Sequence, residues 1–401
     1  MSVYVNDRHL DLAAELVKRT HAAEGLAPVD CESFWAVNDR SIVDPFSPDC
    51  PCLPLGIRMS DECVFEELSV PVDWHRLFHD EPFHIELCRR YNDLAAQIVG
   101  RRLLDERLSG DRDPENPPVK ALSDIFEARS EWLEDSWSYW LHRSARTVDE
   151  LSALLDRVDR RLERLREFLL PPDWAQAKER FLKTGKKLPL YRHQRGPVTF
   201  AMSVFGEENL IYLIIDNQKL AGRFRDLIIK AILERARIID EEAGYAPGKA
   251  PRGWSWADDN CALLSPDMYR FFGYPILESV FSRYAPNPGD SRYQHSDSAM
   301  GHLLPLLGEL GLTRVNFGPS LSVREIREHL SDAVIHGQLA PLTLSRNEEV
   351  NIVAETIRDF EQSREKRGLI FDTAGSVNTG SRLASLRLIM AAIREYCRYA
   401  T

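Results

Sequence analysis

The chain has 401 residues, 44% of them hydrophobic, and a formal charge of -11, which is enough apolar material for one large core or two ordinary ones. The acidic balance argues against a nucleic-acid partner, which needs a basic stripe to displace counterions from phosphates. Seven cysteines, with Cys50 and Cys52 their only close pair, form neither a disulfide framework nor the paired CxxC of a structural zinc site. The opening MSVYVNDRHLDLAAELVKRTH lacks a basic stretch followed by an apolar core, and no apolar run reaches the roughly 18 residues that a bilayer span requires. These features lead to the expectation of a cytoplasmic protein with reduced thiols and no membrane association.

In chain order, PVDCESFWAV near Pro28 reads as a strand, and a second early strand is expected between Cys52 and Ile125. Between Phe126 and Leu190 the character changes. On a helix, the spacing of Trp132, Trp137 and Trp140 spreads the indoles over roughly 140° of surface, a broad face suited to core or subunit contact. Thr147 and Glu150 have capping-box spacing, and Leu151, Leu154, Leu155, Val158, Leu162 and Leu165 recur at helical intervals before Pro171 and Pro172. From about residue 196 a short apolar run, a polar or glycine cluster and an amphipathic helix alternate. The runs are GPVTFAMSVF, GWSWADD, SRYQHSD, TRVNFG, DAVIHGQL and GLIFDTAG. Parallel neighbours can be reached only by a crossover, so this alternation predicts βα units. Six such units and the two early strands make eight, the number that closes a barrel. The expected fold is therefore α/β, a (β/α)8 TIM barrel spanning 1–401 as one domain, with N-terminal helices and residues 126–190 as a helical excursion.

In such a barrel the residues that end each strand face the active-site mouth. That rule selects Ser203, Asp258 and Asp259, His295 and Asp297, Asn316, His336 and Gln338, and Asp372, Thr373 and Ser376. Adjacent strand residues point to opposite faces, so at most one of Asp258 and Asp259 enters the mouth; loop or cap acids are the plain structural alternative. His295 and Asp297, two residues apart in an extended segment, share a face and suit one cation or a mutually orienting pair. Locally, Asp297 or Ser298 could equally cap a helix beginning at Ala299, with His302 in its first turns. Arg292 and Arg314 could clamp a carboxylate, although arginines near strands more often make surface ion pairs. No GxxxxGKS, strand-borne GxGxxG, GxSxG or HExxH is present, so nucleotide cofactors and common hydrolase chemistry lack support.

The ordered series GPVTFAMSVFGEENL, WADDNCALLSPDMYRFFGYP, HSDS, IHGQLAPLTLSRNEEV and DTAGSVNTGSRLASLRLIMAAIREY resembles the uroporphyrinogen decarboxylase superfamily. That superfamily includes methyltransferases that move methyl groups between corrinoid proteins and thiols such as coenzyme M. The resemblance covers roughly residues 190 to 399. Departures are specific. Ser203 stands where the decarboxylases carry a tyrosine, Ser376 or a neighbour where they carry a late histidine, and LSDIF at Asp124 only echoes their FSDIL. Their arginine-rich N-terminal motif for substrate carboxylates is not visible in ESFWAVNDRS. In the thiol methyltransferases an HxC pair and a later cysteine hold zinc; here the similar positions are His295-Ser296-Asp297 and Ser376.

The resemblance implies a barrel enzyme, with methyl transfer to a thiol or similar nucleophile at a His295/Asp297 centre as the leading expectation. Asp258 and Asp259 are further catalytic candidates, and Arg292, Ser203, Asn316, Gln338 and Ser376 are substrate-binding candidates. A divalent metal, zinc among the options, would take His295 and Asp297, with Asp372 as an additional ligand. Replacing thiolate by carboxylate favours a harder cation. A corrinoid would belong to a partner protein, because no DxHxxG element is present. A small-molecule substrate is expected, and a homodimer is compatible. The alternatives are a decarboxylase of uroporphyrinogen or another carboxylated substrate, and a non-catalytic binding barrel with a decayed site.

Overall fold

A computed structural model of the chain describes residues 4–23, 25–108, 115–190 and 192–399. The strands in chain order are β1 Ser130–Leu133, β2 Ser138–Leu141, β3 His193–Arg195, β4 Trp254–Ala257, β5 Arg292–Ser296, β6 Arg314–Phe317, β7 Val334–Leu339 and β8 Leu369–Thr373. Strands β3 to β8 form one six-stranded sheet in sequence order, and the pairs β3–β4, β6–β7 and β7–β8 are parallel. This is the α/β arrangement that the repeating βα pattern dictates.

Strands β4 to β8 fall on five of the expected runs, whereas the sixth run folds differently. PVTFAMSVF is the helix Pro197–Phe205, and β3 is the polar HQR just before it. A run this apolar does not distinguish a buried strand from a buried helix by period. Here Pro197 occupies the first helical turn, where its missing N–H costs nothing.

Neither early candidate becomes a named strand. PVDCESFWAV yields the helix Cys31–Ser41, because Asp30 caps it by accepting the Ser33 N–H. In the second interval Leu55 makes a single parallel bridge to Phe371. The Gly56 N–H donates to the Phe371 carbonyl at 2.8 Å, and the Phe371 N–H to the Pro54 carbonyl at 2.7 Å. Pro51 and Pro54 remove ladder donors, which keeps this strip short. Among the described residues the sheet therefore has six strands with a strip beside β8, and not a closed ring of eight.

The chain divides into two compact units, Met1–Arg107 with His295–Gly301 and Thr313–Thr401, and Leu108–Gln294 with His302–Leu312. In the first, Ala13 and Leu16 of helix Asp7–Ala22 share a core with Val353, Ala354 and Ile357 of helix Glu349–Ser363 and Leu388 and Ala392 of helix Leu383–Tyr396. Small residues at these contacts let the helix backbones approach closely. Helix Glu349–Ser363 also carries a buried charge group: Arg358 Nε lies 2.8 Å from Asp359 and its Nη2 3.6 Å from Glu355. Glu355 in turn accepts the Ala340 N–H and the Thr343 hydroxyl, holding the loop that follows β7.

In the second unit Thr147 caps helix Val148–Glu163. Leu151, Leu154, Leu155 and Val158 are fully buried, in line with the periodicity, and such side chains each contribute about 1.5–3 kcal/mol. Leu165 begins a separate short helix, Leu165–Leu169, that ends before Pro171. The tryptophan segment is not helical. β1 and β2 form an antiparallel hairpin pairing Trp132 with Tyr139, whose rings meet edge-on at 5.3 Å. The strand-prone aromatic composition and this cross-strand aromatic pair outweigh the helical spacing of the indoles. Trp137, Tyr139 and Trp140 are exposed.

Candidate metal centre

His295 lies at the end of β5 and Asp297 one residue beyond it. The two share a face, with His295 Nε2 3.2 Å from Asp297 Oδ1. The other ring nitrogen, Nδ1, is 2.7 Å from Asn316 Oδ1. Asn316 is buried on β6, and its amide nitrogen donates to the carbonyls of His336 at 2.7 Å and Thr373 at 2.8 Å. An imidazole nitrogen and a carboxylate this close on one face could serve as two ligands of a metal ion. Asp259 follows β4 in the second unit.

Two glycines make room for Asp297. A Cβ on Gly318 would meet the Asp297 carbonyl oxygen at 2.4 Å, and one on Gly375 would meet its Oδ1 at 2.1 Å. Gly375 also has φ +108°, a conformation that L side chains rarely adopt. No helix begins at Ala299, next to Ser298. The Ser298 hydroxyl bonds that of Ser296 at 2.8 Å, and the following turn, Gly301–Leu303, leads into helix Leu304–Glu309, which has no side-chain cap.

Asp372 and His336 sit on neighbouring strands of the first unit, β8 and β7. Burial pushes the Asp372 carboxyl up to about 7, against the Thr373 N–H and the positive charge of Arg58. Burial, followed by the charges of Arg314 and Arg58, lowers His336 to about 4, so its ring is neutral at physiological pH. Arg58 was not selected by the strand-end rule. The available signal was a lone arginine closing the apolar stretch LPLGIRM, which becomes the strip beside β8.

Other candidates have structural partners. Asp258 is fully buried and accepts the N–H groups of Thr199 at 2.8 Å and Val198 at 3.4 Å, which places it at the N-terminus of helix Pro197–Phe205. Burial, outweighing these bonds, raises its carboxyl to about 6. Ser203 is on that helix instead of at a strand end. It donates to the Thr199 carbonyl at 2.7 Å and accepts from Arg195 at 3.2 Å. Arg292 opens β5 and donates to the carbonyls of Ala285 and Leu310. Gln338 is buried and donates to the carbonyls of Gly318 and Leu321. Ser376 is exposed in the loop after β8. His302 bonds the Leu264 carbonyl at 2.8 Å.

A solved structure described as "methyltransferase from Methanosarcina mazei" has a similar fold, with a TM-score of 0.54 at 15% identity, covering 90% of this chain and 98% of that one. No curated protein matches the sequence significantly. The sequence model for Uroporphyrinogen decarboxylase (URO-D) matches residues 145–396. Because that match extends over more than half of its length, the chain belongs to the uroporphyrinogen decarboxylase family.

Proposed function

We propose that this protein is an enzyme that transfers a methyl group to a thiol or a similar nucleophile at a metal centre held by His295 and Asp297. The observation that carries this reading is the strand-end pair on one face, with the His295 Nε2 3.2 Å from the Asp297 Oδ1. The pair fits a divalent cation, since the carboxylate offsets part of its charge and an imidazole suits zinc and its neighbours. When bound, such a cation lowers the pKa of a nucleophile and fixes its lone pair toward an electrophilic methyl group.

The chain's own groups prepare that position. Asn316 orients the His295 ring, and Gly375 admits the Asp297 carboxylate. His336, held neutral by burial, adds no competing charge. A carboxylate in place of a thiolate makes the pair harder than a cysteine-bearing one, so manganese or cobalt compete with zinc on chemical grounds. A methyl donor carried by a corrinoid-bearing partner agrees with the likeness to a methyltransferase and with the absence of a DxHxxG element. Decarboxylation through Asp258 is disfavoured, because that carboxyl is buried against a helix N-terminus.

Elemental analysis of protein purified without added metal, repeated on His295→Ala and Asp297→Ala, tests the reading. Wild type should carry close to one equivalent, and each variant should bind at least about 10-fold more weakly, as expected on losing a direct ligand. Equal, negligible metal in all three proteins refutes a metal-centred mechanism.

A further inference from the structure

All the hydrogen-bonding positions that matter on Asn316 are engaged within three strands. Its amide nitrogen has two hydrogens and faces two backbone carbonyls, His336 on β7 and Thr373 on β8. Rotating the amide by half a turn would set its oxygen against both carbonyl oxygens and leave buried acceptors unsatisfied, at about 1–3 kcal/mol each. The carbonyls therefore decide which end of the amide meets the histidine. Asn316 Oδ1, an acceptor only, lies 2.7 Å from His295 Nδ1, and a contact of that length needs a hydrogen on the ring nitrogen.

We infer that Asn316 is the positioning residue of the centre: it fixes His295 as the Nδ1–H tautomer and so turns a basic Nε2 toward Asp297. The inference rests on the metal-centre reading for its purpose, but the hydrogen bonds that support it belong to the polypeptide alone. Neutral imidazole in this tautomer presents a lone pair at Nε2, 3.2 Å from a carboxylate oxygen. Two electron-rich atoms at that distance stabilise a cation placed beside them, and the ring need lose no proton from Nε2 to receive one. The choice of asparagine follows from the same geometry. Aspartate would oppose a charged oxygen to the two carbonyls, and leucine, of similar shape, would neither accept nor donate.

The decisive measurement is a long-range 15N–1H correlation spectrum of metal-free protein labelled at histidine. It is recorded at alkaline pH, with His295→Ala identifying the signal. The wild-type ring should show a protonated Nδ1 and a bare Nε2. In Asn316→Leu the population should shift toward the Nε2–H form, which Asp297 then favours, and zinc affinity should fall by about 10–100-fold, the usual effect of removing a ligand's orienting partner. A bare Nδ1 in wild type, or an unchanged tautomer in Asn316→Leu, overturns the inference; the wild-type spectrum decides even where the variant fails to fold. A protein that shows the Nδ1–H ring but takes up no zinc, cobalt or manganese would defeat the proposed metal centre and leave the positioning role intact. Metal attached through Nδ1 would do the reverse.

Discussion

Replacing Asp258 with asparagine should stabilise the protein at neutral and alkaline pH, although it removes an acid from a helix N-terminus. The carboxyl is fully buried, and burial raises it from 3.8 to about 6 despite the N–H groups of Thr199 and Val198. A folded-state value above the unfolded one means that the protonated form is the better tolerated. The stability contributed by Asp258 is thus fully present below about pH 4 and is lost as the pH rises through about 6. A shift of about two units corresponds to ~3 kcal/mol. Asparagine keeps an oxygen for the Thr199 N–H but turns its NH2 toward Val198 N–H, whose contact is already long at 3.4 Å. Losing that bond costs about 1 kcal/mol, which leaves a net gain of ~2 kcal/mol near pH 8. Urea unfolding of both proteins across about pH 4 to 8 measures this directly. A difference that does not grow with pH, or a variant less stable than wild type near pH 8, refutes the assignment of Asp258 as a buried, uneasily ionised cap. Metal content should be unaffected, because Asp258 is not one of the two proposed ligands.

Gly375→Ala would put a methyl group 2.1 Å from Asp297 Oδ1 at φ +108°; backbone strain of about 1–3 kcal/mol and a displaced carboxylate are expected. Zinc titration should show binding at least 10-fold weaker, and an affinity within twofold of wild type would remove Asp297 from the ligand set. Arg358→Met should destabilise by about 3–5 kcal/mol, because it strands the buried Asp359 carboxylate. Chemical denaturation checks this, and a loss below about 1 kcal/mol would show that Asp359 is readily protonated once its partner is removed.

The parallel βα core was legible because its signals are redundant. Each of β4 to β8 couples an apolar run to a polar strand end and an amphipathic helix, and a single periodicity suffices to register them. The failures have local causes. At VTFAMSVF only Thr199 and Ser203 interrupt the apolar side chains, too few to set a period of two apart from one of 3.6, and a proline at the first turn decides for helix. At PVDCESFWAV one capping aspartate outweighed strand-prone composition. Around Trp132 the deciding contact is to Tyr139 across a turn, which spacing along one helix cannot express. In the centre, the pairing of His295 with Asp297 follows from an i, i+2 step in a strand. Asn316 was marked as a strand end, but its clamp on the ring depends on carbonyls of two other strands, and Gly375 matters only because of what approaches it in space. Asp372 is legible as an acid at a strand end, but the burial that raises its carboxyl to about 7 depends on neighbours that its own strand does not specify.

Helix Asp7–Ala22 completes its packing against helices Glu349–Ser363 and Leu383–Tyr396, with His9 and Glu361 joined at 2.8 Å across 352 positions of sequence. At ~5–20 residues per second, a ribosome takes roughly 20–70 s to make the intervening chain. For that interval the apolar stripe of Ala13 and Leu16 has no native surface to meet. Such long-range closure slows folding and makes this segment a natural client for a chaperone during synthesis. Pulse-labelled nascent chains stalled before residue 349 should accordingly expose the N-terminal helix to proteolysis, and chains released after residue 396 should protect it.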